Sequence, residues 1–440
     1  MKNKKIHIIG AGLAGPLMAT YLAKRGYLVE MYERRLDMRK VSQSAGRSIN
    51  LALSVRGIQA LREVGLYDKI KPITIPMKGR MIHDLDGKTH IQPYGQHDKE
   101  VIYSVSRAEL NMGLMTLAEE TKNVKIFFNH KVESVDLTKN ILDFGKKQTH
   151  FGTVIGCDGS TSPLREAIIE KSNANFVKKP LGHSYKELVI PPSDSNDFLI
   201  EPNALHIWPR GDFMLIALPN MDKTFTCTLF LPTTGEISFE TIYESSTIID
   251  LFQNYFPDAL ELMSTLVEDF QSNPIGNLAS VYCKPWHYKG KALLVGDAAH
   301  AVVPFFGQGM NASFQDCSVL NNFIEKHNGN WEKTFEEFSS SHVENGHAIA
   351  DMAIENYIEM RDSVNDEFYR KRRKLELELE RQFPDCFIPR YSMVSFHQIP
   401  YADVYCRGQI QLDLMNKYLI ENLTKQQLHS NITEKLVPLK

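Results

Sequence analysis

Apolar residues follow three different rhythms along this chain. Residues 5–34 hold two short apolar runs, Ile6 to Ile9 and Leu28 to Tyr32, on either side of a helical pattern over 17–25. Buried strand, amphipathic helix and second buried strand predict a βαβ unit, with Gly26 placed to stop the helix. Residues 71–100 change to alternating apolar and polar residues, with Asp86-Gly87 where a hairpin turn would fall. Over 176–274 the pattern is again mostly β, where 203–208, 213–218 and 224–231 are predicted strands and 248–256 and 259–267 predicted helices. Beyond Phe323 the period is helical: one long helix or two over 331–362, another over 368–383, and a last one over 409–423. The third of these patterns carries KRRK and then LELELE, a charge run that predicts a solvated helix face. No internal repeat interrupts the sequence.

Composition narrows the class. The chain has 440 residues, 43% of them hydrophobic, and a formal net charge of −3, which gives no electrostatic footprint for nucleic acid. Six scattered cysteines form no CxxC pair and no zinc-spaced cluster, as expected of reduced thiols in the cytoplasm. The N-terminal apolar run is too short for a signal peptide, and no run reaches the length of a membrane span.

Three glycine-acid motifs carry the chemistry. The first is Gly10-x-Gly12-x-x-Gly15, enclosing Leu13 and Ala14, after a strand and at a helix start. Its glycines permit a tight turn and close approach of a pyrophosphate to the helix N-terminus, and Glu33, beside Arg34, stands at the offset expected for an acid on an adenosine ribose. This motif alone does not separate FAD from NAD. The second, Val154 to Gly159, ends a buried strand at Asp158-Gly159 and leads into a helix with Pro163 in its first turn. The third, KALLVGDAAHAVVPFFGQGMNASFQD, ends a strand at Gly296-Asp297 and starts a helix after Gly307-Gln308-Gly309. Asp297 can accept hydrogen bonds from a sugar hydroxyl, and the N–H groups near Met310 and Asn311 suit an anionic ligand. Ser106 and Glu109 predict a capped helix start, at which Arg107 opposes the dipole unless it meets a phosphate or flavin.

In this order the motifs resemble those of the flavin-dependent aromatic hydroxylases. The resemblance implies an α/β fold: a Rossmann-type FAD-binding domain (1–70, 101–175, 275–323), an inserted antiparallel β-sheet substrate domain (71–100, 176–274) and a C-terminal helical region (324–440) closing the active site. It implies noncovalent FAD, met by Gly10, Gly12, Leu13, Ala14, Gly15, Glu33, Arg34, Arg47, Arg107, Asp158, Asp297, Gly309, Met310 and Asn311. Only one dinucleotide fold is legible, so NADPH would dock transiently, and O2 would be the oxidant. No acid–base dyad stands out, as expected where the cofactor carries the chemistry; Pro304, Phe305 and Phe306 would shape the oxygen-transfer pocket.

The segments GRSINLALSVRG, KGRMIHDLDG, VPFFGQGMNASFQD, ENYIEMRD and FHQIPYADVY extend the resemblance to the kynurenine 3-monooxygenase family over nearly the whole chain. That family hydroxylates L-kynurenine to 3-hydroxykynurenine with NADPH and O2 through a flavin C4a-hydroperoxide. Its substrate-binding residues match Arg80, Tyr94, Asn356 and Tyr391 here. Eukaryotic members end in a membrane-anchoring helix; this chain ends in NITEKLVPLK, so the likeness is to the soluble bacterial form. A hydroxylase of phenolic or polycyclic compounds would share the three motifs without needing those four residues to converge. A flavin-bound redox sensor would lack substrate-stimulated NADPH oxidation, and a plain NAD dehydrogenase would lack flavin absorbance.

Overall fold

Four successive buried residues make the strand Lys5–Ile9 the centre of a six-stranded sheet. The computed structural model describes residues 5–41, 50–363, 367–421 and 423–439. Lys5–Ile9 runs parallel to Leu28–Tyr32 on one side and to Thr153–Gly156 on the other. Val124–Phe127 and Ala292–Leu294 extend the sheet in parallel, and His287–Tyr288 ends it antiparallel. Strands covered on both faces need continuous apolar runs rather than alternation, and Thr153–Gly156 and Ala292–Leu294 are buried at every position. The helix Ala14–Lys24 is buried from Gly15 to Ala23 and packs against the helices Arg107–Glu120 and Gly309–Lys326. Gly26, at φ +83°, turns the chain out of it.

The chain divides into two compact units, the first comprising Met1–Thr74, Ser104–Leu181 and Asn277–Ala350, the second Ile75–Tyr103, Gly182–Gly276 and Asp351–Lys440. In the second unit Leu205–Arg210, Phe213–Pro219, Phe225–Pro232 and the 183–190 stretch of Asn175–Ile190 form an antiparallel series. Gly79–His83 joins it in parallel beside Leu205–Arg210, and Thr89–Pro93 pairs antiparallel beyond. The predicted Asp86-Gly87 hairpin is present, with Gly87 at φ +79°. Helices Ser245–Tyr255, Pro257–Leu260 and Leu266–Ser272 bring Phe252, Phe270 and, from the junction of the first two, Phe256 to a core shared with Trp208, Leu215 and Leu229. Each such side chain, fully buried, contributes about 1.5–3 kcal/mol.

A buried polar chain crosses this core. His206 Nε2 faces the Glu201 carbonyl at 2.7 Å, His206 Nδ1 faces His83 Nε2 at 2.8 Å, and His83 Nδ1 faces Asp258 Oδ2 at 2.8 Å. Trp208 Nε1–H donates to the same Asp258 oxygen at 2.8 Å. With Nε2–H given to Glu201, His206 must keep Nδ1 as an acceptor. Burial, and then the neighbouring His83, pull the His206 pKa down to about 4.

Two expectations for the C-terminal helices are corrected. The predicted last helix is Tyr401–Ile420, and a further helix, Lys425–Lys435, follows it. The second starts at a capping box between Thr424 and Gln427, a short polar signal that a search for apolar periodicity passes over. The helix Glu367–Gln382, carrying the charge run, is not simply a solvated face. Leu379 joins a core with Phe387, Leu414, Leu428 and Ile432. Arg373 Nη2 donates to the Tyr94 carbonyl at 2.9 Å, and Gln96 Nε2 donates to Glu380 Oε2 at 2.5 Å. Charges alternating with leucine look solvent-facing in sequence, but one stripe of this helix has partners waiting in the Tyr94–Gln96 segment. The long helix Trp331–Ile358 ends in a π-helical turn, Glu359–Ser363.

Candidate active site

In the first unit, three strand ends gather the glycine-acid motifs. Gly10 has φ +96°, and a Cβ there would lie 2.4 Å from the Cys157 carbonyl oxygen; a Cβ on Gly15 would lie 2.0 Å from the Gly10 oxygen. Those two glycines are therefore demanded by the protein's own packing. Gly12 differs: a Cβ there would meet nothing within 4 Å. Its open side, at a helix start with no side-chain cap on Leu13, fits an anion approaching the backbone. Ala14, at the helix start, is half-buried. Glu33 Oε2 accepts from Ala11 N–H at 2.8 Å and Oε1 accepts from Arg35 N–H at 3.0 Å, which aims the carboxylate back toward the glycine turn and leaves further lone pairs for a hydroxyl. Arg34 is exposed beside it.

Asp158 follows the strand Thr153–Gly156 with both carboxylate oxygens inaccessible to solvent and without a hydrogen-bond partner of ordinary geometry. Burial pushes its pKa up to about 6, against smaller lowering by Ser162 and the Leu164 backbone. A buried acid left in this state marks a functional position. Arg165 spans the two acidic turns, donating to the Ser160 carbonyl at 2.6 Å and the Ala298 carbonyl at 2.9 Å. Asp297 is exposed at the first position of the short helix Asp297–His300. Arg107 is exposed at the first position of Arg107–Glu120, whose N-cap Ser106 accepts from Glu109 N–H at 3.3 Å.

Gly309 and Met310 start the helix Gly309–Lys326 as expected. The side chain of Asn311 has a separate task. Its Oδ1 accepts from Ser54 N–H at 2.9 Å and its Nδ2 donates to the Ala52 and Gly307 carbonyls, each at 2.8 Å, so it ties the strand Asn50–Leu53 to the glycine turn. Phe305 and Phe306 are buried while Pro304 is exposed. Arg47 lies outside the described residues.

The second unit brings Arg80, Tyr94 and Tyr391 together. Gly79 permits close strand pairing, since a Cβ there would lie 2.6 Å from the Gln92 carbonyl oxygen. Arg80 follows it in register with Gln92 on one side and Leu205 on the other. Its guanidinium carbon lies 4.8 Å from the centre of the Tyr391 ring. Tyr94 and Tyr391 stack at 5.1 Å with an interplanar angle of 9°, and Phe396 stands 6.4 and 6.2 Å from the two rings. Arg80 Nε is buried without a hydrogen-bond partner, and the Tyr94 hydroxyl is buried against the Tyr391 side chain. Burial pushes both tyrosine pKa values up, so the phenols stay neutral donors. A fixed cation with convergent donors has the chemistry to pair with a carboxylate. Asn356 is buried in the same unit, where its Nδ2 contacts Met360 Sδ at 3.2 Å across the start of the π-helical turn. A helix widened by one residue in this way often marks a functional position.

Residues 3–330 match the family model described as "FAD binding domain". The chain is 46% identical to a kynurenine 3-monooxygenase of Myxococcus xanthus over 93% of its own length and 89% of that protein's. It is 42% identical to a kynurenine 3-monooxygenase of Sus scrofa over 95% of this chain and 89% of that one. The chain belongs to the kynurenine 3-monooxygenase family. Among solved structures, 2-methyl-3-hydroxypyridine-5-carboxylic acid oxygenase shares the fold at a TM-score of 0.68 and 16% identity, covering 84% of this chain and 94% of that one. The flavoprotein hydroxylase fold and FAD as cofactor follow from this membership, and the open Gly12 turn, the orphaned Asp158 and the outward Asp297 fit that cofactor.

For this kynurenine 3-monooxygenase family member the sequence pointed to the motif residues but not to what holds them. Arg165 and Asn311 act through side chains that bridge segments more than a hundred residues apart in the chain. Tyr369, whose hydroxyl donates to Glu359 at 2.9 Å, and Arg373, which donates to the Tyr94 carbonyl, stand beside the Arg80, Tyr94 and Tyr391 cluster on a helix that looked solvated. Their only sequence signal was the charge run itself, since both lie in its leucine-free first part, EFYRKRRK. Glu33→Ala is expected to weaken FAD by about 1.5–3 kcal/mol, the worth of a hydrogen bond to a charged group, with Glu33→Gln less affected because it keeps an acceptor. Flavin fluorescence released on dilution measures this, and undiminished retention in a folded Glu33→Ala protein would remove Glu33 from the site.

Proposed function

We infer that this protein hydroxylates L-kynurenine to 3-hydroxykynurenine, consuming NADPH and O2, as a step of tryptophan catabolism. The observation that carries the reading is the Arg80, Tyr94 and Tyr391 cluster, whose buried donors have the chemistry of an amino-acid carboxylate receptor in a chain of this family. When bound, FAD supplies the redox chemistry, passing electrons from NADPH to O2 so that one oxygen atom enters the aromatic ring and the other leaves as water.

The protein's own residues do the rest. Glu33 would accept a ribose hydroxyl, the Gly12 turn and the start of Ala14–Lys24 would take the pyrophosphate, and Asp297 would meet a hydroxyl of the flavin side chain. Gly309 and Met310 would present backbone N–H groups to the flavin ring, and Phe305 and Phe306 would exclude water. Arg107 and Arg47 would contribute positive charge. Arg80 would pair with the substrate carboxylate, Tyr94 and Tyr391 would donate to it, and Asn356 would serve the amino-acid end. No helix among the described residues is long and apolar enough to cross a membrane, and all six cysteines are free, which supports a cytoplasmic location.

The test is NADPH consumption by the purified yellow protein with and without L-kynurenine. The expected result is substrate-dependent oxidation with a product one oxygen atom heavier, hydroxylated at ring position 3. Oxidation indifferent to kynurenine, or stimulated instead by phenolic acids, would overturn the assignment.

A further inference from the structure

Asp316 is a buried carboxylate that no step above uses. It lies on the helix Gly309–Lys326, is 2% exposed, and one oxygen serves two partners: it accepts from Gly296 N–H at 2.9 Å and lies 2.6 Å from His300 Nε2. The other oxygen is 3.4 Å from His342 Nε2. His300 is itself 2% exposed. Burial works against its charge, but Asp316, with a smaller contribution from Asp297, outweighs burial and raises the His300 pKa. Burial, aided by His300 and Arg56, lowers that of His342.

The two partners of Asp316 bracket the acidic turn. Gly296 has φ +64° and ψ −140°, a conformation open to glycine, and a Cβ there would strike Ser313 Oγ at 2.7 Å. Its carbonyl accepts from Ala299 and His300 N–H at 2.8 and 2.9 Å, closing the short helix. One carboxylate therefore holds the first residue of the turn through its backbone and the last through its side chain, with exposed Asp297 between them. An isolated four-residue helix has no stability of its own, and a buried carboxylate carries a desolvation cost even when paired, so this arrangement needs a gain elsewhere.

We propose that Asp316 is a positioning residue for flavin binding: through Gly296 N–H and His300 it fixes the turn so that Asp297 presents its carboxylate to a flavin hydroxyl. The inference rests on the reading that Asp297 contacts FAD.

The test is a double-mutant cycle on FAD affinity, measured by fluorescence quenching on titration of apoprotein. It uses wild type, Asp297→Asn, Asp316→Asn and the double variant, with thermal midpoints of the four apoproteins recorded alongside. Asp297→Asn and Asp316→Asn are each expected to weaken FAD about tenfold, and the double variant about as much as either single, because one acts through the other. His300→Gln keeps an N–H donor without the charge and is the milder variant should Asp316→Asn fail to fold. It is expected to weaken FAD about threefold in the wild-type background and not at all beside Asp297→Asn. Multiplicative losses would mean that Asp316 supports only the fold, and wild-type FAD affinity in both Asp316→Asn and His300→Gln would equally overturn the proposal. Wild-type affinity in Asp297→Asn alone would instead remove the reading on which it rests.

Discussion

Arg80→Ala is expected to lose about 2–5 kcal/mol of L-kynurenine affinity while retaining its full complement of FAD. The substrate carboxylate leaves water on binding, and such a transfer is unfavourable unless the charge meets a partner and hydrogen bonds. On the proposed reading Arg80 would supply both, held in a paired strand with its guanidinium over the Tyr391 ring. Removing it strands the carboxylate among the Tyr94, Tyr391 and Phe396 rings. Arg80→Lys should fall between wild type and alanine, since it keeps the charge but not the planar fork. FAD content should not change, because the residue belongs to the second unit and the glycine-acid motifs to the first. Titration followed by flavin absorbance gives the affinity. Near-normal binding by Arg80→Ala with intact flavin would place the carboxylate receptor elsewhere.

The second large effect is on stability. His206 titrates at about 4 in the folded protein, whereas an unconstrained histidine titrates at about 6.5. Between those values the unfolded chain binds the additional proton, so stability rises with pH. The contribution of this group is complete above pH ~6.5 and is lost as the pH falls toward ~4, about 3 kcal/mol in all. The structural cause is visible: burial disfavours the charged imidazole, whose Nε2 is committed to the Glu201 carbonyl while Nδ1 lies 2.8 Å from His83 Nε2. Replacing His206 with Asn, whose amide oxygen can stand in as the acceptor, should flatten that part of the profile. Urea unfolding from pH 7 to 4.5 for both proteins measures the difference, which cancels the acid sensitivity they share. Parallel profiles would show that His206 is not the group responsible.

Legibility from sequence followed the range of the interactions. The βαβ unit, the buried strands Thr153–Gly156 and Ala292–Leu294, and the 79–93 hairpin were readable because each depends on residues within one element or one turn. The glycines were readable for the same reason: φ +96° at Gly10 and φ +79° at Gly87 are local demands. The last helix was missed because its start is set by Thr424 and Gln427 rather than by apolar period. The charged helix Glu367–Gln382 was misread because its partners, Tyr94 and Gln96, lie nearly three hundred residues away.

By itself the sequence determined the dinucleotide turn, the order of the three acidic motifs and, through the likeness of whole segments, the family. Those are matters of residue type and spacing, which a linear chain records. The tertiary structure alone decided which side chains converge. It set Tyr391 against Tyr94 and under Arg80, left Gly12 open where Gly10 and Gly15 are closed, and committed the Asn311 side chain to the backbone of Ala52 and Ser54. It also folded Asp316 back onto Gly296 and His300. Burial and hydrogen bonding depend on what packs around a group, and in this chain those neighbours come from strands and helices that are remote in sequence.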